Sequence, residues 1–354
     1  MEFFHERINS IFIENALHQH QKEKMKMLKR LLLLMMVPML LCSTALAEMP
    51  KQINFGIIST ESSTALEKSF GPFLKDMEKF IGIPVKSFFA SDYAGVIEGM
   101  RFKKVDIAWY GNKSAIEAVD RANGEVFAQT IKDTGERGYY SLLITHKDSG
   151  IDSLDDVLKC DGTRTYGSGD PNSTSGTVIP NYYVWAMNNK NPETCFKRMV
   201  SSNHEGNAIA VATKKVDVAT NNTESMQRLA QTQPEMYANI KEIWRSPLIP
   251  SDPMVWRKDL PPELKEKILY FFIQYGRFGD VDKITRERKI LAEMSDGWGP
   301  FLASSDAQLL AVRQIELYKK KLKAKEKGNA AEIQAVEAEE KRMNDMSGLF
   351  KGGF

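Results

Sequence analysis

Ile53-Asn54-Phe55-Gly56-Ile57-Ile58, Val85-Lys86-Ser87-Phe88-Phe89 and Asp106-Ile107-Ala108-Trp109-Tyr110 are three short β-like runs, and the chain between them reads as helix. The turn Ser59-Thr60-Glu61-Ser62 leads into a helix that runs to Phe80. A second helix spans Tyr93–Phe102, and a third ends at Arg121. Strands of this length alternating with amphipathic helices predict a βαβαβ unit with a parallel sheet and right-handed crossovers. Two further strands are expected, around Val126–Ile131 and Tyr139–His146.

The rhythm restarts after residue 150. A helix at Ser153–Lys159 precedes a strand at Thr163–Tyr166, a Gly-rich loop, a helix from Ser173 to Asn188 and a strand at Phe196–Val200. A short helix at Ala208–Thr213 and strands at Val216–Thr220 and Ile240–Trp244 follow, and from Pro250 the chain returns through a strand at Met254–Trp256 and a helix at Pro262–Tyr275. Two α/β units joined by two crossings predict a bilobal body with a hinge. Residues 48–147 and 248–305 would form lobe 1 and residues 148–247 lobe 2, with a ligand cleft between them. Residues 306–354 form a helical extension of two helices broken at Gly328, with thin apolar stripes at Leu309, Val312, Ile315 and Leu322, then at Ile333, Val336, Met343 and Met346. Such helices dock on the body or on a second copy of the chain as a homodimer; a solvated, frayed tail is the alternative.

Composition suits a globular chain of about two domains: 354 residues, 42% hydrophobic, 27% charged, 23 Gly and 14 Pro. It excludes collagen, a disulfide-dense miniature and a largely disordered chain. The net charge of +2 resides in the first forty-seven residues, and the remainder is balanced. A neutral chain with dispersed charges lacks the basic face that nucleic acid requires. Met25–Arg30 (MKMLKR) is basic, Leu31–Leu41 is an apolar run, and Ala45-Leu46-Ala47 presents small residues where signal peptidase reads. Residues 1–47 therefore read as a signal peptide cleaved near Ala47, with residues 1–24 an over-extended start. The apolar run is too short to span a bilayer and contains Pro38, which disfavours an uncleaved anchor. Leu41 is not small, which argues against a lipoprotein at Cys42. Two cysteines then remain, Cys160 and Cys195, an even number that permits a bridge in an exported chain. Each precedes a strand-like run, and parallel neighbouring strands would bring the pair together; two buried free thiols are the alternative.

Chemistry concentrates in Gly167-Ser168-Gly169-Asp170-Pro171-Asn172-Ser173-Thr174-Ser175-Gly176. Glycines after a strand permit a tight turn, and a hydroxyl triplet then opens a helix whose N-terminus carries free N–H groups and partial positive charge. Three adjacent hydroxyls suit a tetrahedral oxyanion better than they suit ordinary N-capping. The absence of GKS or GKT removes a nucleotide P-loop, and the absence of HExxH and CxxC makes a zinc site improbable. GxSxG is absent too, and no Lys sits beside the triplet, which weakens nucleophilic catalysis. On the residues alone, His204 reads as an exposed loop histidine, Glu224 as a helix-capping residue and Asp252 as a turn residue between Pro250 and Pro253.

From about Ile53 to Leu317 the chain resembles the periplasmic phosphonate-binding proteins of bacterial phosphonate ABC transporters, which have a bilobal type II periplasmic-binding-protein fold. The stretches that carry the resemblance are Asn54–Ser62 (NFGIISTES), Ser91–Gly95 (SDYAG), Asp106–Asn112 (DIAWYGN), Gly169–Gly176 (GDPNSTSG), His204-Glu205, Asp217–Glu224 (DVATNNTE) and Ser246–Pro253 (SPLIPSDP). The resemblance implies that Ser173, Thr174 and Ser175, with Tyr93 and His204, hold the phosphonate oxygens. It implies that Tyr139, Glu224 and Asp252 hold the ammonium of 2-aminoethylphosphonate. It further implies a periplasmic protein that docks transiently on an inner-membrane permease, needs no cofactor, binds no nucleic acid and is not an enzyme. The physics of a buried zwitterion agrees, since donors at one end and carboxylates at the other avoid an unpaired buried charge. Phosphite or inorganic phosphate is the competing ligand. A phosphonate-hydrolysing enzyme and a scaffold built on the tail are the readings from other classes.

Overall fold

The computed structural model describes residues 22–27, 49–294 and 297–350, with side chains along the last helix described as far as Asp345. Residues 22–27 are a short helical run; the apolar run Leu31–Leu41 and the Ala45–Ala47 motif of the expected leader lie outside the described residues.

Two mixed sheets form the body. The first has the order β13-β4-β12-β3-β1-β2, built from β1 (Ile53–Ile57), β2 (Val85–Phe88), β3 (Ile107–Trp109), β4 (Gly124–Gln129), β12 (Pro253–Arg257) and β13 (Leu302–Ala303). β2, β1 and β3 are parallel, as the opening βαβαβ pattern predicts, whereas β12 enters antiparallel between β3 and β4. The second sheet has the order β10-β6-β9-β7-β8, from β6 (Ser141–His146), β7 (Thr165–Ser168), β8 (Arg198–Ser201), β9 (Val218–Asn222) and β10 (Ile240–Arg245). A two-stranded ribbon, β5 (Gly138–Tyr139) against β11 (Ile249–Pro250), carries both crossings between the sheets.

That ribbon corrects one expectation. The run Tyr139–His146 is not one strand at the end of the first lobe. Gly138–Tyr139 belongs to the ribbon, and Ser141–His146 pairs with β9 and β10 in the second sheet. Ser141–His146 is buried on both faces and shows no apolar-polar alternation, so periodicity cannot reveal where the run changes partner. The register Ile249↔Tyr139 places the change at Tyr140, where the N–H turns to Thr223 Oγ1 (3.2 Å).

Burial explains why the first unit forms. Helix Ser63–Ile81 turns Leu66, Phe70, Phe73, Leu74 and Met77 inward at helical spacing, with Ser62 as its N-cap. Phe70 stacks on Trp109 (5.4 Å between rings), and Trp109 meets Trp298 edge-on at 5.4 Å. Such pairs contribute about 0.5–1.5 kcal/mol each beyond their area. They also orient Trp109, whose indole N–H emerges in the cleft. The second unit has smaller cores, one around Tyr166, Trp185, Cys195 and Phe196 and one around Ile144, Val211 and Ala219.

Cys160 and Cys195 are joined as a disulfide. β7 and β8 run parallel in the register Thr165↔Arg198, so the segments that lead into them start side by side, as the spacing suggested. The bridge closes a loop with a sequence separation of 35. Replacing both cysteines with Ser is expected to lower unfolding stability by about 3–4 kcal/mol, measured by urea denaturation against wild type. An unchanged midpoint would show that the cross-link does not constrain the unfolded chain.

The tail forms helices Leu310–Glu326 and Ala330–Phe350, separated at Gly328, whose φ of +63° favours glycine. The first docks on the chain's own body. Leu309 and Val312 enter the first core, Arg313 binds Asp120 through two bonds of 2.8 and 2.6 Å, and Glu316 binds Lys113. Tyr318 meets Tyr182 of the second unit edge-on, 5.0 Å between rings. Among the described residues no helix is long and apolar enough to cross a membrane.

Candidate functional site

Strand ends assemble the site. The end of β3 and the turns after β1 and β3 bring Trp109, Thr60, Glu61 and Gly111 from the first sheet, and the turns and helix starts after β7, β8 and β9 bring Ser173–Ser175, His204 and Glu224 from the second. Asp252 arrives at the same edge because it precedes the antiparallel β12. Open α/β sheets bind ligands at the carboxyl ends of their strands, where side chains from separate loops converge. All eight residues expected at the site, Tyr93, Tyr139, Ser173, Thr174, Ser175, His204, Glu224 and Asp252, line one small cavity of about 20 Å³. Each is buried.

The hydroxyl triplet is fixed in its role. Ser173 Oγ accepts the Gly176 N–H (3.0 Å) as N-cap, Thr174 Oγ1 accepts the Lys113 N–H (2.9 Å), and Ser175 Oγ accepts from Asn222 Nδ2 (3.1 Å). Each oxygen accepts a protein donor, which leaves each hydroxyl proton able to donate; Ser173 Oγ and Ser175 Oγ also lie 3.5 Å from His204 Nε2. The helical segment Thr174–Val178 opens with a wide i→i+5 turn, Val178 N–H to Ser173 C=O at 3.2 Å. The glycines of this loop have a steric reason. A Cβ on Gly169 would lie 2.5 Å from the Gly176 Cα, backbone against backbone. Burial, reinforced by Asp170 and Asp252, holds the Tyr93 phenol well above its ordinary pKa, so it too remains a donor.

His204 is not the exposed loop residue that its neighbours alone suggest. It opens helix His204–Ala212, whose N-cap is Asn203, and is buried. Asn222 Oδ1 accepts the Ser225 N–H (2.7 Å), which points Asn222 Nδ2 at His204 Nε2 (3.2 Å). That nitrogen therefore accepts, and the ring proton sits on Nδ1, which has no protein partner among the described residues. Burial lowers the ring pKa to about 4, so the imidazole is neutral at physiological pH. The unfolded ring titrates at 6.5, so as pH falls the unfolded chain takes up this proton first. His204 thus contributes stability that is complete above pH 6.5 and lost toward pH 4. Glu61 has the opposite sign, its contribution being complete below 4.5 and lost as pH rises through about 7. Comparison with His204→Gln isolates the first effect. NMR titration of the ligand-free ring should give a midpoint near 4, and a midpoint near 6.5 would overturn this assignment.

Two carboxylates line the same cavity. Asp252 Oδ2 accepts the Trp109 indole N–H (3.1 Å), and Glu224 sits in the first turn of helix Thr223–Thr232, whose N-cap is Asn222 rather than Glu224. Burial first, then the Asp252 and Glu224 carboxylates, raise the Tyr139 phenol well above its ordinary pKa.

The lobes are closed on one another. Each of the three βα turns of the first sheet has a backbone N–H capped from across the cleft: Ser62 by Glu205 (2.9 Å), Tyr93 by Asp170 (3.1 Å) and Lys113 by Thr174 (2.9 Å). Glu61 pairs with Arg228 at 2.6 Å in the same interface. Burial pushes the Glu61 carboxyl up to about 7, with Arg228 opposing and Glu205 adding to the rise.

A model of the ABC-transporter phosphonate periplasmic substrate-binding proteins matches residues 55–309. The chain belongs to that family. It is 55% identical over 272 residues to the phosphonates-binding periplasmic protein of Escherichia coli, covering 77% of this chain and 78% of that one. A crystal structure of the binding-protein component of an ABC phosphonate transporter from Pseudomonas aeruginosa is 52% identical with a TM-score of 0.80, covering 86% of this chain and all of that one. A phosphate-import protein of Mycolicibacterium smegmatis is 27% identical, covering 77% of this chain and 87% of that one.

As a phosphonate-binding protein of a periplasmic ABC system, the chain brings together every residue that the sequence reading selected for the cleft. The reading missed Thr60, Glu61, Trp109 and Asn222, which line or brace the same cavity. One signal was available. Ser59–Ser62 directly follows the first parallel strand, the position from which such sheets present ligand contacts. Trp109 and Asn222 fall within the stretches DIAWYGN and DVATNNTE that carry the resemblance, but what they brace, Asp252 for Trp109 and Ser175 and His204 for Asn222, depends on partners distant in sequence.

Proposed function

We propose that the cleft selects 2-aminoethylphosphonate and that the lobes, hinged at the Gly138–Tyr139 and Ile249–Pro250 ribbon, close on it and release it intact to the permease. Residues 1–47 are, on this reading, the export signal removed near Ala47. The observation that carries the reading is the polarity of one small cavity. Three hydroxyls whose oxygens already accept protein donors line it with Tyr93 and His204, and two buried carboxylates, Glu224 and Asp252, line the same space. The His204 Nδ1 proton, without a protein partner among the described residues, would carry a desolvation cost of about 1–3 kcal/mol unless a ligand accepts it, and the two buried carboxylates favour a cation beside them. A zwitterion with a phosphonate head and an ammonium end satisfies all of them together.

Phosphate or phosphite is the second reading, motivated by the Mycolicibacterium relative named for phosphate import. Such an anion brings its charge beside Glu224 and Asp252 and offers them no ammonium, a like-charge arrangement that costs affinity. Calorimetry on ligand-free protein with 2-aminoethylphosphonate, methylphosphonate, phosphite and phosphate tests the choice. The amine-bearing ligand is expected to bind tightest, by about 10²-fold or more over methylphosphonate. Phosphate or methylphosphonate binding as tightly would reject the assignment.

A further inference from the structure

The cavity that holds the two carboxylates does not simply end. Glu61 and Ser225 line it on one side, and on the other they line a second pocket of about 250 Å³ with Glu205, Arg228, Leu229 and Gln233. Helix Thr223–Thr232 runs past both spaces, with Glu224 at the first and Arg228 one turn farther on. Glu61, which with Ser225 is common to both linings, pairs with Arg228 of the second, Oε2 to Nε at 2.6 Å, the side chains 9% and 11% exposed for the acid and the base.

We propose that this ion pair is the length gauge of the site, a wall made on lobe closure that admits an aminoethyl chain and excludes longer or N-extended aminophosphonates. The inference rests on the reading that places the ammonium at Glu224 and Asp252. The wall is well anchored. Glu61 comes from the loop after β1 and Arg228 from the opposite lobe. Arg228 Nη2 also donates to Ser69 Oγ of helix Ser63–Ile81. Beside them Glu205 accepts the Ser62 N–H (2.9 Å) and an N–H of Gln233 (3.3 Å), so the neighbouring carboxylate is held as well. A chain that passes Glu224 must separate the pair and strand a charge in a nearly dry interface, which is far costlier than the pair's own net contribution. Space lies immediately behind it, so the pair and not the bulk of the protein sets the limit.

The test is a calorimetric series of methylphosphonate, 2-aminoethyl-, 3-aminopropyl- and 4-aminobutylphosphonate on wild type, Arg228→Ala and Glu61→Ala, with circular dichroism as the check of folding. Wild type is expected to prefer the aminoethyl ligand over the aminobutyl one by about 10–200-fold per excluded methylene step. Either folded variant should shrink that ratio by about tenfold or more, because the two pockets then join, while methylphosphonate and the aminoethyl ligand weaken together by about tenfold through lost closure. A purely structural pair would weaken all four ligands alike, and an unchanged length ratio in a folded variant that still binds methylphosphonate overturns the proposal. So does a wild type that takes the aminobutyl ligand as well as the aminoethyl one. A wild type that shows no preference for 2-aminoethylphosphonate over methylphosphonate instead overturns the ligand reading beneath it.

Discussion

Asp252→Asn is expected to raise the Kd for 2-aminoethylphosphonate by about 10²–10³-fold and to leave methylphosphonate within about threefold of wild type. Asp252 is 5% exposed and is oriented by the Trp109 indole, which the Phe70 and Trp298 rings pack in place. Asn keeps the shape and one acceptor oxygen for Trp109 but removes the charge. The ligand's ammonium would then enter a nearly closed cavity without its counter-ion, the situation in which breaking a buried pair costs about 3–5 kcal/mol. Methylphosphonate has no ammonium and loses nothing specific. Glu224→Gln should act in the same direction. Titration calorimetry with both ligands separates the outcomes: equal losses would mean that the carboxylate shapes the cleft and does not contact the amine.

Thr174→Val should weaken every phosphonate together, by at least about 10²-fold, with the ratio between ligands unchanged. Thr174 serves both lobes at once. Its oxygen caps the Lys113 N–H at the start of helix Asn112–Arg121, whose own N-cap, Gly111, has no side chain to do so. On the proposed reading its proton goes to the anion. Valine has the same outline and neither function. The ligand loses a charge-assisted bond worth about 1.5–3 kcal/mol, and closure leaves a buried N–H unpaired at about 1–3 kcal/mol. Loss confined to the amine-bearing ligand would place Thr174 at the wrong end of the cavity.

Much of this was legible along the chain because it depends on near neighbours. The βαβαβ rhythm of 53–121, the restart after 150 and the helix break at Gly328 are matters of local periodicity and turn chemistry. The hydroxyl triplet announced an anion because a Gly-rich turn, three hydroxyls and a helix start lie within ten residues. His204, Glu224 and Asp252 were different. Read by their surroundings they were a loop histidine, a capping residue and a turn residue, and only the resemblance of longer stretches to a family raised them above that. In the fold all three are buried, with Asn203 and Asn222 taking the caps beside His204 and Glu224 and with Asp252 facing Trp109.

Residues 53–354 alone thus specify two α/β units, an anion-seeking helix start and a cysteine pair set before neighbouring strands, since each follows from the order of side chains along a few turns of backbone. The meeting of those parts was decided in three dimensions. The change of partner at Tyr140, the capping of three first-lobe N-termini by Glu205, Asp170 and Thr174, and the Glu61–Arg228 wall all join residues more than sixty positions apart. No local pattern encodes such contacts, because a backbone N–H or a buried charge takes whichever partner the packed lobes bring within reach.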